Sequence, residues 1–227
     1  MRVLVAMSGG LDSSTLAAYL KKRKGHDVRG IHVSYGHKSR LGELASLDAI
    51  QKSLDIPLIK LTLDLAQHLY SSLTDTKLTN PNCHHASEEA RVTFVPNRNA
   101  IFLSIAYAVA MSQDCDAIAY AAHADDYKLY PDCRDAFTKA LHEALKLGND
   151  GYGYPLKLLN PFVNMAKSDV LLLGESLGLE LSKTWTCYNS EVVQCGQCAA
   201  CHERQAAFAA ARIQDTTLYA NTSTQTT

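Results

Sequence analysis

Short apolar runs alternate along this chain with apolar stripes at helical spacing. The runs Arg2-Val3-Leu4-Val5-Ala6, Val28-Arg29-Gly30-Ile31-His32-Val33, Pro57-Leu58-Ile59-Lys60-Leu61-Thr62 and Ala117-Ile118-Ala119-Tyr120-Ala121-Ala122 predict strands. Leu16, Ala17 and Leu20, then Leu44, Leu47, Ile50 and Leu54, then Ile101, Phe102, Ile105, Ala106 and Val109 predict the helices between them. Strands alternating with helices pair in parallel, because the crossover helix returns the chain to the same end of the sheet. The pattern therefore predicts an α/β fold, an open and mostly parallel sheet with helices on both faces. Such sheets bind ligands beyond the carboxyl ends of their strands. Ser8, Ser34-Tyr35-Gly36 and His123-Ala124-Asp125-Asp126 all fall at those ends.

The first strand-to-helix junction reads Ser8-Gly9-Gly10-Leu11-Asp12-Ser13-Ser14. Gly9 and Gly10 lack the Cβ atoms that keep backbone N–H groups away from a ligand, and a helix start aims free N–H groups and positive dipole at the same spot. Ser8, Ser13 and Ser14 add hydroxyl donors. The run is neither a Walker A loop nor the Gly-x-Gly-x-x-Gly dinucleotide fingerprint. A tight turn with Asp12 as helix N-cap is the bland reading. Three hydroxyls at this junction favour phosphate, and make Met7, Ser8, Gly9, Gly10, Leu11, Asp12, Ser13, Ser14 and Thr15 the candidate nucleotide-binding residues.

Elsewhere the pattern breaks. Thr74 to Arg91 is polar and contains Asn80-Pro81-Asn82, which reads as a mobile loop or lid, and Asp150-Gly151-Tyr152-Gly153-Tyr154-Pro155 reads as a turn-rich connection. After Arg212 the chain is rich in Thr, Ser, Asn and Gln, an expected disordered tail. The organisation expected is a nucleotide-binding domain over 1–180 with its mobile loop near 74–91, a cysteine-rich element over 181–212, and the tail over 213–227.

With 227 residues and 47% hydrophobic content, the chain is long and apolar enough for one sizeable core. A formal charge of −1 gives no global field for nucleic acid or an anionic membrane surface, so direct nucleic-acid binding is not expected. No apolar stretch approaches the roughly 20 residues that span a bilayer. The opening run reads as a core strand and not as a cleavable signal, which makes the expected location cytoplasmic.

Seven cysteines in such a chain point to metal or catalysis before disulfides. Cys187, Cys195, Cys198 and Cys201 contain two consecutive Cys-x-x-Cys steps, and Gly196 permits the tight turn between them. Four soft ligands without a carboxylate suit a closed, structural Zn²⁺ site. A redox pair and an iron–sulfur cluster are the competing readings. His202 adjoins Cys201 and is expected to point elsewhere. Cys115 reads as an ordinary core residue.

The Ser-Gly-Gly-x-Asp-Ser run resembles the loop of the ATP pyrophosphatase (PP-loop) superfamily, which implies an adenine nucleotide alpha-hydrolase-like fold. Thr93-Phe94-Val95-Pro96-Asn97-Arg98-Asn99, Tyr130-Pro131-Asp132-Cys133-Arg134, and Thr186-Cys187-Tyr188-Asn189 leading into the cysteines follow in order. The set resembles the 7-cyano-7-deazaguanine synthase family over roughly Arg2 to Arg212. That resemblance implies a carbon–nitrogen ligase that takes 7-carboxy-7-deazaguanine, ammonia and ATP to the nitrile, through the amide, releasing AMP and pyrophosphate. It also implies Mg²⁺, Zn²⁺ and a homodimer.

The same resemblance nominates Asp12, Ser13, Arg98 and Lys167 as catalytic residues. Arg98 would clamp phosphate or carboxylate with its planar fork, and Lys167 would neutralise the phosphate chain. Tyr35, Asn99, Asp126, Tyr130, Asp132 and Arg134 are the candidate substrate contacts, with Asp126 and Asp132 open to either Mg²⁺ or the base. Asn99 is as readily a helix cap, and the carboxylates are as readily plain surface charge. Cys133 has no obvious base nearby. Where many relatives carry Asp-Tyr-Gly-Gln-Arg-His, this chain has Ser34-Tyr35-Gly36-His37-Lys38-Ser39, and Asn82-Cys83-His84-His85 also departs from the family pattern. A member that stops at the amide or uses another amine is one alternative. A non-catalytic ATP sensor with a zinc-stapled surface is another.

Overall fold

The computed structural model describes residues 1–83 and 87–220. Five strands, β1 (Arg2–Ala6), β2 (Asp27–Ser34), β3 (Leu58–Thr62), β4 (Ala117–Ala119) and β5 (Lys157–Leu159), form one sheet in the order β3-β2-β1-β4-β5, and every pairing is parallel. The helices are α1 (Leu11–Ala18), α2 (Arg40–Leu54), α3 (Arg98–Ser112), α4 (Asp135–Leu147), α5 (Lys167–Ser176) and α6 (Ala199–Ala211).

The central strand explains the layering. Val3, Leu4 and Val5 are all fully buried because β1 is covered on both faces. Val3 and Val5 pack with Leu16 of α1, Leu47 and Ile50 of α2, Val170 and Leu171 of α5, and Phe208 of α6. Leu4 faces the other way, onto Leu103, Ala106, Tyr107 and Ala110 of α3. Each such side chain contributes on the order of 1.5–3 kcal/mol by leaving water. Helices on both faces of an open parallel sheet are what the apolar pattern predicts.

Several details depart from expectation. The fourth strand ends at Ala119, not Ala122, and the chain then curls into the 3-10 turn Ala124–Lys128. Helix α3 forms where predicted, but its fully buried stripe is Leu103, Ala106, Tyr107 and Ala110, while Ile101, Phe102, Ile105 and Val109 are partly buried. Helix α4 and strand β5 were not marked by the apolar pattern. The supposed loose tail packs back as far as residue 220: Ile213 joins the core, and the fully buried Arg204 donates from Nε to Thr217 Oγ1 at 3.0 Å. The polar segment after Thr74 is tethered through Asn80, which accepts from Ser72 Oγ at 2.6 Å and donates to Asn189 Oδ1 at 2.8 Å. His84 and His85, singled out in the sequence, lie outside the described residues.

Two glycines are required by close approach. Gly9 has φ +77°, and a Cβ there would lie 2.7 Å from the Glu43 carbonyl of α2. A Cβ on Gly42 would overlap the indole of Trp185. Among the described residues, no helix is long and apolar enough to cross a membrane.

Candidate active site

The sheet order reverses direction between β1 and β4, and a cavity of about 270 Å³ opens at that point beyond their carboxyl ends. Met7, Ser8, Gly10, Leu11, Asp12 and Ser13 form one wall. Ser13 Oγ lies 3.2 Å from Ser8 Oγ and accepts the Ser8 N–H at 3.2 Å, which holds the loop closed around the start of α1. Gly10, not Asp12, is the N-cap residue. Gly9 faces α2 instead of the cavity, and Ser14 and Thr15 are buried inside α1, so none of these three lines the site.

Asp12 turns toward Lys167, the first residue of α5, whose Nζ lies 3.0 Å from Asp12 Oδ2 and 2.9 Å from Glu203 Oε2 of α6. His123, 1% exposed behind this pair, sets Nε2 3.7 Å from Asp12 Oδ2 and 3.6 Å from Asp126 Oδ2. Burial alone would raise the Asp12 carboxyl, but Lys167 and His123 hold it well below the usual carboxylate range. Burial likewise opposes charge on His123 and Lys167, yet Asp12 raises His123 to about 9, and Asp12 with Glu203 keeps Lys167 protonated. Asp125 Oδ2 accepts the Lys167 N–H at 2.9 Å and so fixes the start of α5.

The opposite wall is aromatic. Arg98 opens α3 after Asn97, whose φ of 52° turns the chain into the helix. Its polar partner is the Tyr35 hydroxyl at 3.5 Å, and no carboxylate pairs with it among the described residues. Burial raises the hydroxyls of Tyr35, Tyr130 and Tyr188, so these rings are neutral and leave the guanidinium uncompensated. A buried cation without a counter-ion is costly, and an anionic ligand removes that cost.

The remaining sequence candidates divide. Tyr35, Asn99, Asp126 and Tyr130 line the cavity. Asp132 does not; its carboxylate accepts the Asn99 N–H at 3.0 Å and caps α3. Arg134 is also elsewhere, donating from Nε to the Tyr127 carbonyl at 3.0 Å. Cys133 lines the cavity, but burial and the nearby carboxylates push its thiol well above its ordinary value, and it accepts from Asn99 Nδ2 at 3.2 Å. A protonated thiol is a poor nucleophile.

The four cysteines meet as predicted. Cys187, Cys195, Cys198 and Cys201 bring their sulfurs within 4.8 Å of one another, near the ~3.8 Å separations implied by a shared ion at about 2.3 Å. Backbone N–H groups of Cys195 and Asn189 donate to Cys187 Sγ at 3.2 and 3.3 Å, and those of Cys198 and Gln197 donate to Cys195 Sγ at 3.3 and 3.4 Å. Such donors stabilise thiolates, and the set fits Zn²⁺. His202 points away, with Nε2 2.9 Å from Asn82 Oδ1. A second group, His123, Asp126 and Glu203, also lies within 4.8 Å, but it fits Mg²⁺ poorly. Lys167 already holds Glu203 at 2.9 Å and Asp12 at 3.0 Å, so its ammonium occupies the charge these carboxylates would offer a metal.

Residues 2–212 match the family model described as Queuosine biosynthesis protein QueC. This chain belongs to that family. It is 40% identical over 218 residues to the 7-cyano-7-deazaguanine synthase of Methanosphaerula palustris, covering 95% of this chain and 97% of that protein. It is 38% identical over 226 residues to the protein of the same name from Brucella anthropi, covering 96% and 94%. Among solved structures it is similar to the U34-tRNA thiolase NcsA from Methanococcus maripaludis, at 19% identity and TM-score 0.47, covering 79% of this chain and 57% of that one.

In this QueC-family chain, the cysteine-rich element also supplies cavity wall. Trp185, Tyr188 and Glu203 all come from it, and the Trp185 N–H donates to the Gly9 carbonyl at 2.9 Å. The sequence motifs include Tyr188 but name none of the three as a site residue. A signal existed: Trp185 and Tyr188 flank Cys187, and Glu203 follows Cys201 by two residues, so whatever orders the cysteines orders them too. His32 and Glu43 were likewise missed.

Proposed function

We propose that this chain is a 7-cyano-7-deazaguanine synthase that converts 7-carboxy-7-deazaguanine, ammonia and ATP to the nitrile. The observation that carries this reading is the pair of anion receptors in one cavity: the hydroxyl-lined loop at Ser8–Ser13 and the uncompensated Arg98 opposite. A carboxylate is a poor acylating agent and must be activated before an amine displaces its oxygen. Arg98 would hold the carboxylate while the loop N–H groups, Ser8 and Ser13 hold the triphosphate.

Attack of the carboxylate on the α-phosphorus forms an acyl-adenylate and releases pyrophosphate. Lys167 stabilises the charge that develops on the phosphate chain, and Asp12 and Glu203 keep its ammonium fixed. Ammonia then displaces AMP to give the amide. A second activation, at the amide oxygen, turns loss of water into loss of AMP and yields the nitrile. Acid, amide and nitrile share one oxidation level, so the sequence is redox-neutral. Zn²⁺ on the four cysteines is structural in this reading, holding Trp185, Tyr188 and Glu203 in the wall.

The test is incubation of the protein with the acid, ammonium and Mg-ATP, followed by mass spectrometry of nucleotides and bases. AMP with nitrile supports the reading. AMP with amide alone selects a member that stops half-way, and absence of AMP would remove the enzyme class.

A further inference from the structure

The cavity carries four carboxylates: Asp12, Glu43, Asp126 and Glu203. Asp12 and Glu203 face Lys167, and Asp126 faces His123. Glu43 stands apart from that group. It sits in the first turn of α2, its side chain four-fifths buried, and its Oε2 lies 3.0 Å from Nε2 of His37. Ser39 Oγ donates weakly to its Oε1 at 3.4 Å.

Its position relative to the two anion receptors matters more than its partners. The Glu43 backbone packs directly on Gly9 of the phosphate loop. On the other side, His37 stacks on Tyr35 with ring centroids 4.6 Å apart, and the Tyr35 hydroxyl meets Arg98 at 3.5 Å. Glu43 is thus joined to the phosphate loop through its backbone and to Arg98 through His37 and Tyr35, and its side chain lines the same cavity as both receptors.

A second observation falls beside it. His32, at the end of β2, is 3% exposed and lines the cavity. Its Nδ1 lies 2.9 Å from the Met7 carbonyl, which accepts only, so Nδ1 carries the hydrogen and Nε2 presents a lone pair. That Nε2 has no hydrogen-bond partner, and burial lowers the ring's basicity, keeping it neutral. His32 and Glu43 line the same cavity.

A carboxylate and an unpartnered acceptor nitrogen form a receptor for a small cation that has N–H donors and no acceptors. We propose that Glu43 and His32 form the ammonium site of this enzyme, with Glu43 as the base that converts ammonium to ammonia and His37 as the residue that positions it. The inference rests on the ligase reading above.

The step balances simply. Glu43 takes one proton from ammonium, and the freed lone pair forms the C–N bond as the C–O bond to AMP breaks. That bond's electron pair leaves with AMP. Glu43 returns its proton to water through the open cavity, and the adduct's surplus N–H proton follows by the same path. The His37 ring, in close contact with Glu43 Oε2 without an aligned hydrogen bond from either of its nitrogens, positions the carboxylate by packing.

The test compares two nucleophiles in Glu43→Gln, Glu43→Asp and His37→Gln. Ammonium must be deprotonated at neutral pH, whereas hydroxylamine is already unprotonated and reports acyl transfer alone, as hydroxamate. In Glu43→Gln the ratio of kcat/KM for hydroxylamine to that for ammonium is expected to rise at least ~10-fold, within the usual range for a proton-transfer group. Glu43→Asp restores part of the ammonium value, and His37→Gln shifts the ratio the same way by less. A ratio unchanged in both Glu43 variants, or a rise in KM for the acid that is equal with both nucleophiles, overturns the ammonium site and points to recognition of the base ring. Acid-dependent ATP–pyrophosphate exchange by the unmutated chain is measured alongside. Its absence overturns the ligase reading itself, and the ammonium site with it.

Discussion

Lys167 Nζ lies 3.0 Å from Asp12 Oδ2 and 2.9 Å from Glu203 Oε2, so one ammonium ties the phosphate loop to the helix that follows the cysteines. Both carboxylates are mostly buried, and removing the cation would leave two like charges facing each other in a restricted dielectric. Lys167→Met is therefore expected to destabilise the fold by roughly 3 kcal/mol, at the low end for a broken buried pair. AMP release should fall by ~10²-fold or more, the scale for losing one preorganised charge. Urea unfolding and an AMP assay check the two effects, and a variant with native stability and native turnover would falsify this role.

Arg98 should behave in the opposite way on stability. Its guanidinium is buried among neutral tyrosines without a carboxylate, so it costs free energy in the free protein. Arg98→Met is expected to melt at the same temperature or higher while acid-dependent ATP–pyrophosphate exchange drops by ~10²-fold. Arg98→Lys keeps the charge, loses the two-pronged fit to a carboxylate, and should recover only part of that activity. A large fall in melting temperature for Arg98→Met would show that the arginine is structural.

The His123 ring sets a pH window. Burial pulls its basicity down, but Asp12 more than offsets this and raises it to about 9, against ~6.5 in an unfolded chain. A folded value above the unfolded one means stabilisation that is fully present below about pH 6.5 and is lost as pH climbs to about 9. The amount is on the order of 3 kcal/mol. Urea unfolding of the native chain and His123→Gln at about pH 6 and about pH 9.5 measures it. The stability gap between them should narrow at the higher pH; a constant gap would mean that the buried ring carries no charge.

The chain's single tryptophan reports on the cysteine element from inside the cavity, since Trp185 N–H reaches the Gly9 carbonyl and its indole lies over Gly42. Zinc binding to comparable small sites is worth on the order of 10–16 kcal/mol. Stripping metal with a chelator under reducing conditions is expected to change Trp185 emission and abolish AMP release together, with Zn²⁺ restoring both. Metal loss with unchanged emission and turnover would mean that the cysteines do not support this wall.

How far the sequence could be read depended on whether the relevant physics was local. The runs at Val3–Val5 and Ile31–Val33 announced buried parallel strands because both faces of those strands leave water, and Ala106 marked α3 for a related reason. The fully buried stripe of α3 was displaced from the one read in the sequence, because helix periodicity tolerates a small rotation and packing against Leu4 selects the angle. Thr217 looked like part of a loose polar tail, and only the distant Arg204 gives it a partner. Asp132 and Asp126 had the same appearance in the sequence. One caps a helix, and the other faces the cavity.

Short-range requirements account for the phosphate loop and the cysteine knuckle, because glycine freedom, helix N-terminal N–H groups and tight ligand spacing act within a few residues. The partners of Asp12, Arg98 and Glu43 are matters of long-range geometry. Asp12 and Lys167 are 155 residues apart in sequence. Charge compensation depends on distance in space, so it took the folded sheet to decide that Lys167 is neutralised, that Arg98 is left open to an anion, and that Glu43 joins their cavity beside His37.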